Sequence, residues 1–174
     1  MKHPVPGEIL ATARLEIESL RRRYAQAVDS IDRSGTHGNE FAASEFRKIF
    51  FPDAAIRFVV GGQVALQAIG PEEWTVVVTN AVSKYLGTQH LIGTQLVNFD
   101  SVESGPGGLI VSGEAVMVSH VQASHWTTDS LRVVLGDYRD CVRFDAAAGW
   151  RIRAMDLVQK FRWEQSLVAG NGAP

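Results

Sequence analysis

From residue 88 onward the chain consists of four long segments of strand character: "TQHLIGTQLVNFDSV", "GLIVSGEAVMVSHVQA", "SLRVVLGDYRDCVRFD" and "GWRIRAMDLVQKFRW". Each is rich in β-branched and aromatic residues, and turn-forming pieces such as "ESGPGG" and "DAAAG" separate them. Consecutive strands joined by turns make a mainly antiparallel sheet. Gly93, Gly113 and Gly136 each interrupt a strand pattern, and small residues of this kind let a sheet bend around a space. Leu109, Val111, Gly113, Ala115 and Met117 form one apolar face of small to medium residues, as the wall of a cavity would.

The first half follows a different period. Leu10, Ile17, Leu20, Tyr24, Ala27 and Ile31 recur at helical spacing between Pro6 and Asp32. The glycines of "DRSGTHGNE" end that helix, and Asp32 reads as a cap of the turn. A shorter helix near Glu40–Ile49 follows, directing Phe41, Phe46 and Phe50 inward. "FFPDAAIRFVV" reads as a turn at Pro52–Asp53 leading into a strand. "GPEEWTVVVTNAVSKYL" is a third helix, with Pro71 in its first turn and Glu72 and Glu73 at the positive end of its dipole. Helices first and strands after define an α+β plan: a strongly curved, mainly antiparallel sheet with three N-terminal helices packed on one face. With 174 residues, 45% of them hydrophobic, the chain fits one domain, with a core of about 8–164 and short mobile tails, "LVAGNGAP" among them.

Composition narrows the function classes. The net charge is −2 and the only basic block, Arg21–Arg23, fits a helix surface, so neither nucleic acid nor a membrane is an expected partner. Cys141 is the single cysteine, which excludes an intrachain disulfide and a cysteine-rich zinc site. No apolar run reaches the roughly 20 residues of a membrane span, and "MKHPVPGEIL" lacks the apolar stretch of a secretion signal. A cytoplasmic protein is expected. "ESGPGG" reads as a hairpin turn, because no helix follows it to form a phosphate site.

His90 stands in a strand position that would ordinarily take valine or threonine. As a residue alone it reads first as a strand histidine bonded to a neighbouring group, and second as a base aimed into a cavity. Tyr24 lies on the helical stripe and serves equally as core or as a hydroxyl donor. Asp29 falls about 140° round the helix from Tyr24, off that stripe, which points to solvent or a helix end. His120 shares a strand face with Glu114, Val116 and Val118, opposite Ala115 and Met117, so without a bulge it cannot line their wall. His3, His37 and His125 read as tail or loop residues exposed to solvent. Trp126, Trp150 and Trp163 read as core or interface aromatics.

Several local patterns, "YAQAVDSID", "FFPDAAIRF", "TQHLIG", "GDYRDCVRF" and "GWRIRAMDL", in this order resemble the SnoaL-like branch of the nuclear-transport-factor-2-like superfamily. The resemblance spans about Glu8 to Glu164 and implies a cone-shaped α+β barrel whose curved sheet and three helices enclose a pocket. It is nearest to the scytalone dehydratase and bile-acid 7α-dehydratase type. "TQHLIG" resembles the histidine motif of the first, and the five-residue spacing of Tyr24 and Asp29 resembles the second. The resemblance implies a catalytic set of Tyr24, Asp29 and His90, with His120 near a second catalytic histidine only if a one-residue gap is allowed. Val28 and Phe58 depart from it, standing where scytalone dehydratase has two tyrosines. Met155 stands where the dehydrochlorinase relatives have an arginine.

A neutral imidazole is a competent base near neutral pH, and a carboxylate on its other nitrogen fixes the tautomer. Tyr24 would donate to the oxygen where charge develops. The expectation is a lyase or isomerase that uses no cofactor and no metal, acting on a hydrophobic oxygenated small molecule: a steroid, polyketide or aromatic-pathway intermediate. Two alternatives stand beside it. One is a non-catalytic binding protein or an assembly subunit like the small subunits of ring-hydroxylating dioxygenases. The other is a polyketide cyclase. The resemblance also implies a homo-oligomer, dimer or trimer, formed through the outer sheet face, to which the aromatics of "KFRWEQ" are suited.

Overall fold

The computed structural model describes residues 5–31 and 37–167. His3, Asp32 and the tail beyond Leu167 lie outside the described residues. In chain order the elements are α1 (Gly7–Asp29), α2 (His37–Ile49), β1 (Phe50–Val60), β2 (Gln63–Ile69), α3 (Gly70–Val82), β3 (Gly87–Ser104), β4 (Ile110–Trp126), β5 (Ser130–Asp145) and β6 (Gly149–Ser166), with a short 3-10 turn at Pro106–Gly108. The strands form one six-stranded sheet in the order β2-β1-β6-β5-β4-β3. Every neighbouring pair is antiparallel except β1 with β6. The sheet curves into a cone without closing, because β2 and β3 remain as edges.

Two local features differ from the sequence pattern. Pro52 and Asp53 lie inside β1 and make no turn, and the register against β6 shifts between Phe50 and Ala55. β2 is a strand the pattern does not announce. Gly61 and Gly62, both at positive φ (58° and 80°), make the two-residue turn that folds β2 back on β1.

Bulges supply the curvature. The β3–β4 register shifts between Ile92 and Gln95, around Gly93, and the β5–β6 register shifts between Leu135 and Gly136. A Cβ on Gly136 would lie 2.5 Å from the Val158 carbonyl oxygen, so the bend there tolerates no side chain. At Gly113 the space a Cβ would take is filled by the Trp150 ring, 2.5 Å away.

The helices pack into the concave face. α1 buries Ile17, Leu20, Tyr24 and Val28, each apolar side chain worth about 1.5–3 kcal/mol of burial. α2 contributes Phe46 and Ile49, whereas Phe41, expected inside, is exposed. Tyr24 lies against Phe46 (centroids 5.4 Å) and edge-on to Phe50 (6.0 Å). α1 is also flanked by the edge strand: Arg14 Nη1 donates to the Val97 carbonyl (2.8 Å) and Gln95 Nε2 to the Glu18 carbonyl (3.1 Å). This second contact gives α1 two buried sides. Within the core Arg21 and Asp140, both fully buried, form an ion pair, and Arg21 Nη1 lies 3.3 Å from Met155 Sδ. Among the described residues no helix is long and apolar enough to cross a membrane.

Candidate active site

A cavity of about 130 Å³ lies inside the cone, between α1, α3 and the inner sheet face. Its walls are mainly apolar, with Val28, Phe58, Trp74, Val78, Val121 and Leu157 among them. Five side chains bring hydrogen-bonding groups into the apolar lining: Tyr24, Trp74, His90, His125 and Tyr138.

His90 enters from β3 with its side chain almost buried, at 7% exposure. Its Nδ1 lies 2.6 Å from Asp29 Oδ1, and its backbone N–H donates to Asp29 Oδ2 at 2.9 Å. Thr88 Oγ1, two residues earlier on the same strand, donates to Asp29 Oδ1 at 2.8 Å. Burial pushes the Asp29 carboxyl up; the hydrogen bonds and charge of His90, together with Thr88, outweigh that and hold it below the ordinary carboxylate value. An ionised Asp29 makes Nδ1 the protonated nitrogen and leaves Nε2 as the basic one.

Asp29 does not line the cavity; it supports His90 from behind. The last residue of α1 lies off the apolar stripe because it faces β3, the helix's second buried flank, and that strand carries His90 to it.

Tyr24 does line the cavity. Its hydroxyl accepts the Trp74 Nε1 hydrogen at 3.2 Å, which leaves its own proton to donate. Burial pushes this phenol up to about 12, so it stays protonated.

His120 lies elsewhere. The β4–β5 register runs from Glu114 to Trp126 without a bulge, so strict alternation places its ring on the outer sheet face, 59% exposed. There Nδ1 bonds Asp137 Oδ1 at 2.8 Å, and Lys160 Nζ reaches Asp137 at 2.5 Å. The candidate role in the pocket is corrected on that ground.

His125 corrects the opposite way. It is a strand residue of β4 and lines the cavity. Its ring stacks on Tyr85 (4.8 Å) and meets the His90 ring edge-on at 5.7 Å. Burial, then the nearby charges of His90 and Arg132, push it down to about 4, so it is a neutral imidazole at ordinary pH. The signal was available, since His125 has the parity of Ala115, Met117, Val121 and Ala123. Tyr138, also missed, is fully buried on β5, and its hydroxyl has no hydrogen-bond partner. In sequence it is indistinguishable from a core tyrosine. Among the described residues no group of three His, Cys, Asp or Glu side chains is arranged to hold a metal ion.

A cone of this topology, with a lined cavity between helices and sheet, is the nuclear-transport-factor-2-like fold. Residues 10–156 match the SnoaL-like domain, and the chain belongs to that family. Among solved structures it is similar to a candidate scytalone dehydratase from Novosphingobium aromaticivorans (18% identity, TM-score 0.69, 95% of this chain and 96% of that one). It is also similar to the Kfla4162 protein from Kribbella flavida (21%, 0.67, 88% and 95%). A third likeness is to the type 3 hexachlorocyclohexane dehydrochlorinase from Novosphingobium barchaimii (13%, 0.66, 97% and 99%). At these identities the likeness is one of fold. No curated protein matches the chain.

Proposed function

We propose that the protein is a lyase or isomerase that removes a proton next to a carbonyl in a hydrophobic oxygenated small molecule. The observation that carries this reading is the 2.6 Å contact between Asp29 Oδ1 and His90 Nδ1 at the wall of an apolar cavity. His90 Nε2 takes the proton, and Asp29 stabilises the imidazolium that results. The C–H electron pair moves into the carbonyl and gives an enolate, whose oxygen accepts the Tyr24 hydrogen. In a β-hydroxy ketone the enolate collapses back to C=O and the C–O bond at the β-carbon breaks. The departing hydroxide takes the proton from His90 and leaves as water. Where no leaving group is present, return of the proton to a different carbon gives isomerisation. The solved structures of similar fold named for dehydratase and dehydrochlorinase chemistry agree with this class.

The test is a panel of one-ring and multi-ring β-hydroxy ketones, followed by the ultraviolet absorbance of the enone product. His90→Ala should keep the circular dichroism of the folded protein and lower kcat/KM by about 10²–10⁴-fold. Unchanged turnover by His90→Ala on a compound the protein converts would overturn the assignment.

A further inference from the structure

The chemistry above leaves two polar cavity groups unused, His125 and Tyr138, and the one with a hydroxyl to donate is Tyr138. It is fully buried, its hydroxyl has no hydrogen-bond partner, and it lines the same space as His90. A buried hydroxyl left unpaired is costly and persists where something else repays it. Its ring meets that of Tyr24 edge-on, with centroids 5.5 Å apart.

Behind both rings lies the Arg21 guanidinium, 3.8 Å from the Tyr138 centroid and 4.7 Å from that of Tyr24. Arg21 in turn is held by Asp140, with Nε 3.2 Å from Oδ2. A cation on the face of a phenol draws electron density from the ring and makes the hydroxyl a stronger donor. Burial holds both phenols protonated, and the charge of Arg21 acts on each more strongly than that of Asp140. The positive end of the ion pair therefore faces the tyrosines.

On the sheet backbone the base and Tyr138 stand apart. His90 pairs with Ala123 and that residue with Val134, so Tyr138 lies two strands and four residues away from His90. At the backbone that is roughly 10 Å across and 13 Å along a sheet that curves to bring the side chains together. The cavity itself, about 130 Å³, is of the order of an engineered apolar cavity of about 150 Å³ that admits benzene. One six-membered ring fills such a space; four fused rings do not.

We propose that the Tyr24 and Tyr138 hydroxyls, backed by the buried Arg21–Asp140 pair, form a two-donor site for the oxygen of a one-ring ketone or enone that enters carbonyl first. The inference rests on the proposed proton abstraction for its chemistry, but its binding half can be tested without turnover. Tyr138 becomes a specificity-determining residue, and the steroid among the expected substrate classes is set aside.

The probe is 4-nitrophenol, a one-ring molecule whose phenolate imitates an enolate, titrated calorimetrically against the full chain, with 4-nitrotoluene as the matched compound lacking the hydroxyl. Tyr138→Phe should weaken 4-nitrophenol about 10-fold or more and leave 4-nitrotoluene unchanged. Equal 4-nitrophenol affinity in wild type and Tyr138→Phe would overturn the proposal. A second measurement needs no variant: across substituted phenols of similar size, affinity of the anion for the wild-type protein should rise with phenolate basicity, and a flat series overturns the two-donor site. A four-ring phenolic steroid binding as tightly as 4-nitrophenol overturns the size limit. Retained turnover by His90→Ala beside a weakened Tyr138→Phe would sink the base and spare the oxygen site.

Discussion

Asp29 grips His90 twice, with one carboxylate oxygen on the ring Nδ1 at 2.6 Å and the other on the backbone N–H at 2.9 Å. The grip fixes the strand position and the imidazole plane together, so the ring cannot turn without breaking a bond to a group that also holds its backbone. Such a double hold belongs to a group whose orientation matters, and it makes the pair sensitive to changes that leave the fold intact.

Asp29→Asn keeps the size of the side chain and removes its charge. We expect kcat/KM to fall by about 10²–10⁴-fold, because the amide no longer stabilises an imidazolium or enforces the tautomer. The same variant has an acid signature. Asp29 is held below its ordinary value near 3.8, so its contribution to stability is present above that value and is lost as pH falls through the lower folded one. Urea unfolding between pH 5 and about 2 should show a flatter acid limb in Asp29→Asn.

Thr88→Val removes one hydroxyl from the Asp29 carboxylate and keeps the β-branched shape. The expected cost is about 1 kcal/mol in denaturant unfolding, with a reduced kcat and a nearly unchanged KM. A variant equal to wild type in both would show that His90 alone positions Asp29.

His125 sets a different pH window. Its folded value near 4 lies below the ordinary 6.5, so between these two values the unfolded chain binds a proton that the folded protein refuses. Its contribution is full above pH 6.5 and is lost as pH falls toward 4, by roughly 3–4 kcal/mol at most. Comparing wild type with His125→Gln by urea unfolding at the two ends of that window should show the slope reduced in the variant.

Arg21→Met leaves Asp140 buried without its partner and should destabilise the fold by about 3–5 kcal/mol. Adding Asp140→Leu should recover much of that loss, and the recovery is read as the difference between the two urea midpoints. A single variant no weaker than the double would show that Asp140 is satisfied without Arg21.

His120→Ala should leave turnover unchanged and alter stability by less than about 1 kcal/mol, as the exposed end of a surface charge cluster does. A large loss of kcat/KM would show that the outer face takes part in the reaction.

Much of this architecture was legible in the residues, for definite physical reasons. The three helices announce themselves by their 3.6-residue stripes, and the four long strands by alternation and turn residues. β2 was not legible, because only Ala68 of its seven residues is buried and an edge strand with no buried face has no period to read. Asp29 was legible only through the family pattern, since a helical wheel assumes one buried stripe and α1 has two flanks. Alternation alone put His120 on the outer face, and only the family pattern drew it toward the pocket; His125 was hidden by strand length, because β4 runs on to Trp126, past the expected turn, and the same alternation sends it inward. Tyr138 carries no mark in the sequence. Its distinction is a hydroxyl without a partner, which only three-dimensional neighbours reveal.

β3 is an open edge of the sheet, and a bare edge invites pairing with any extended chain it meets. The Asp29 carboxylate occupies one of that edge's outward amides, that of His90. The residue that would aim the proposed base thus also covers an amide that strand addition would need. Replacing that aspartate would strip the proposed base of its carboxylate and bare the His90 amide at the sheet edge in a single substitution.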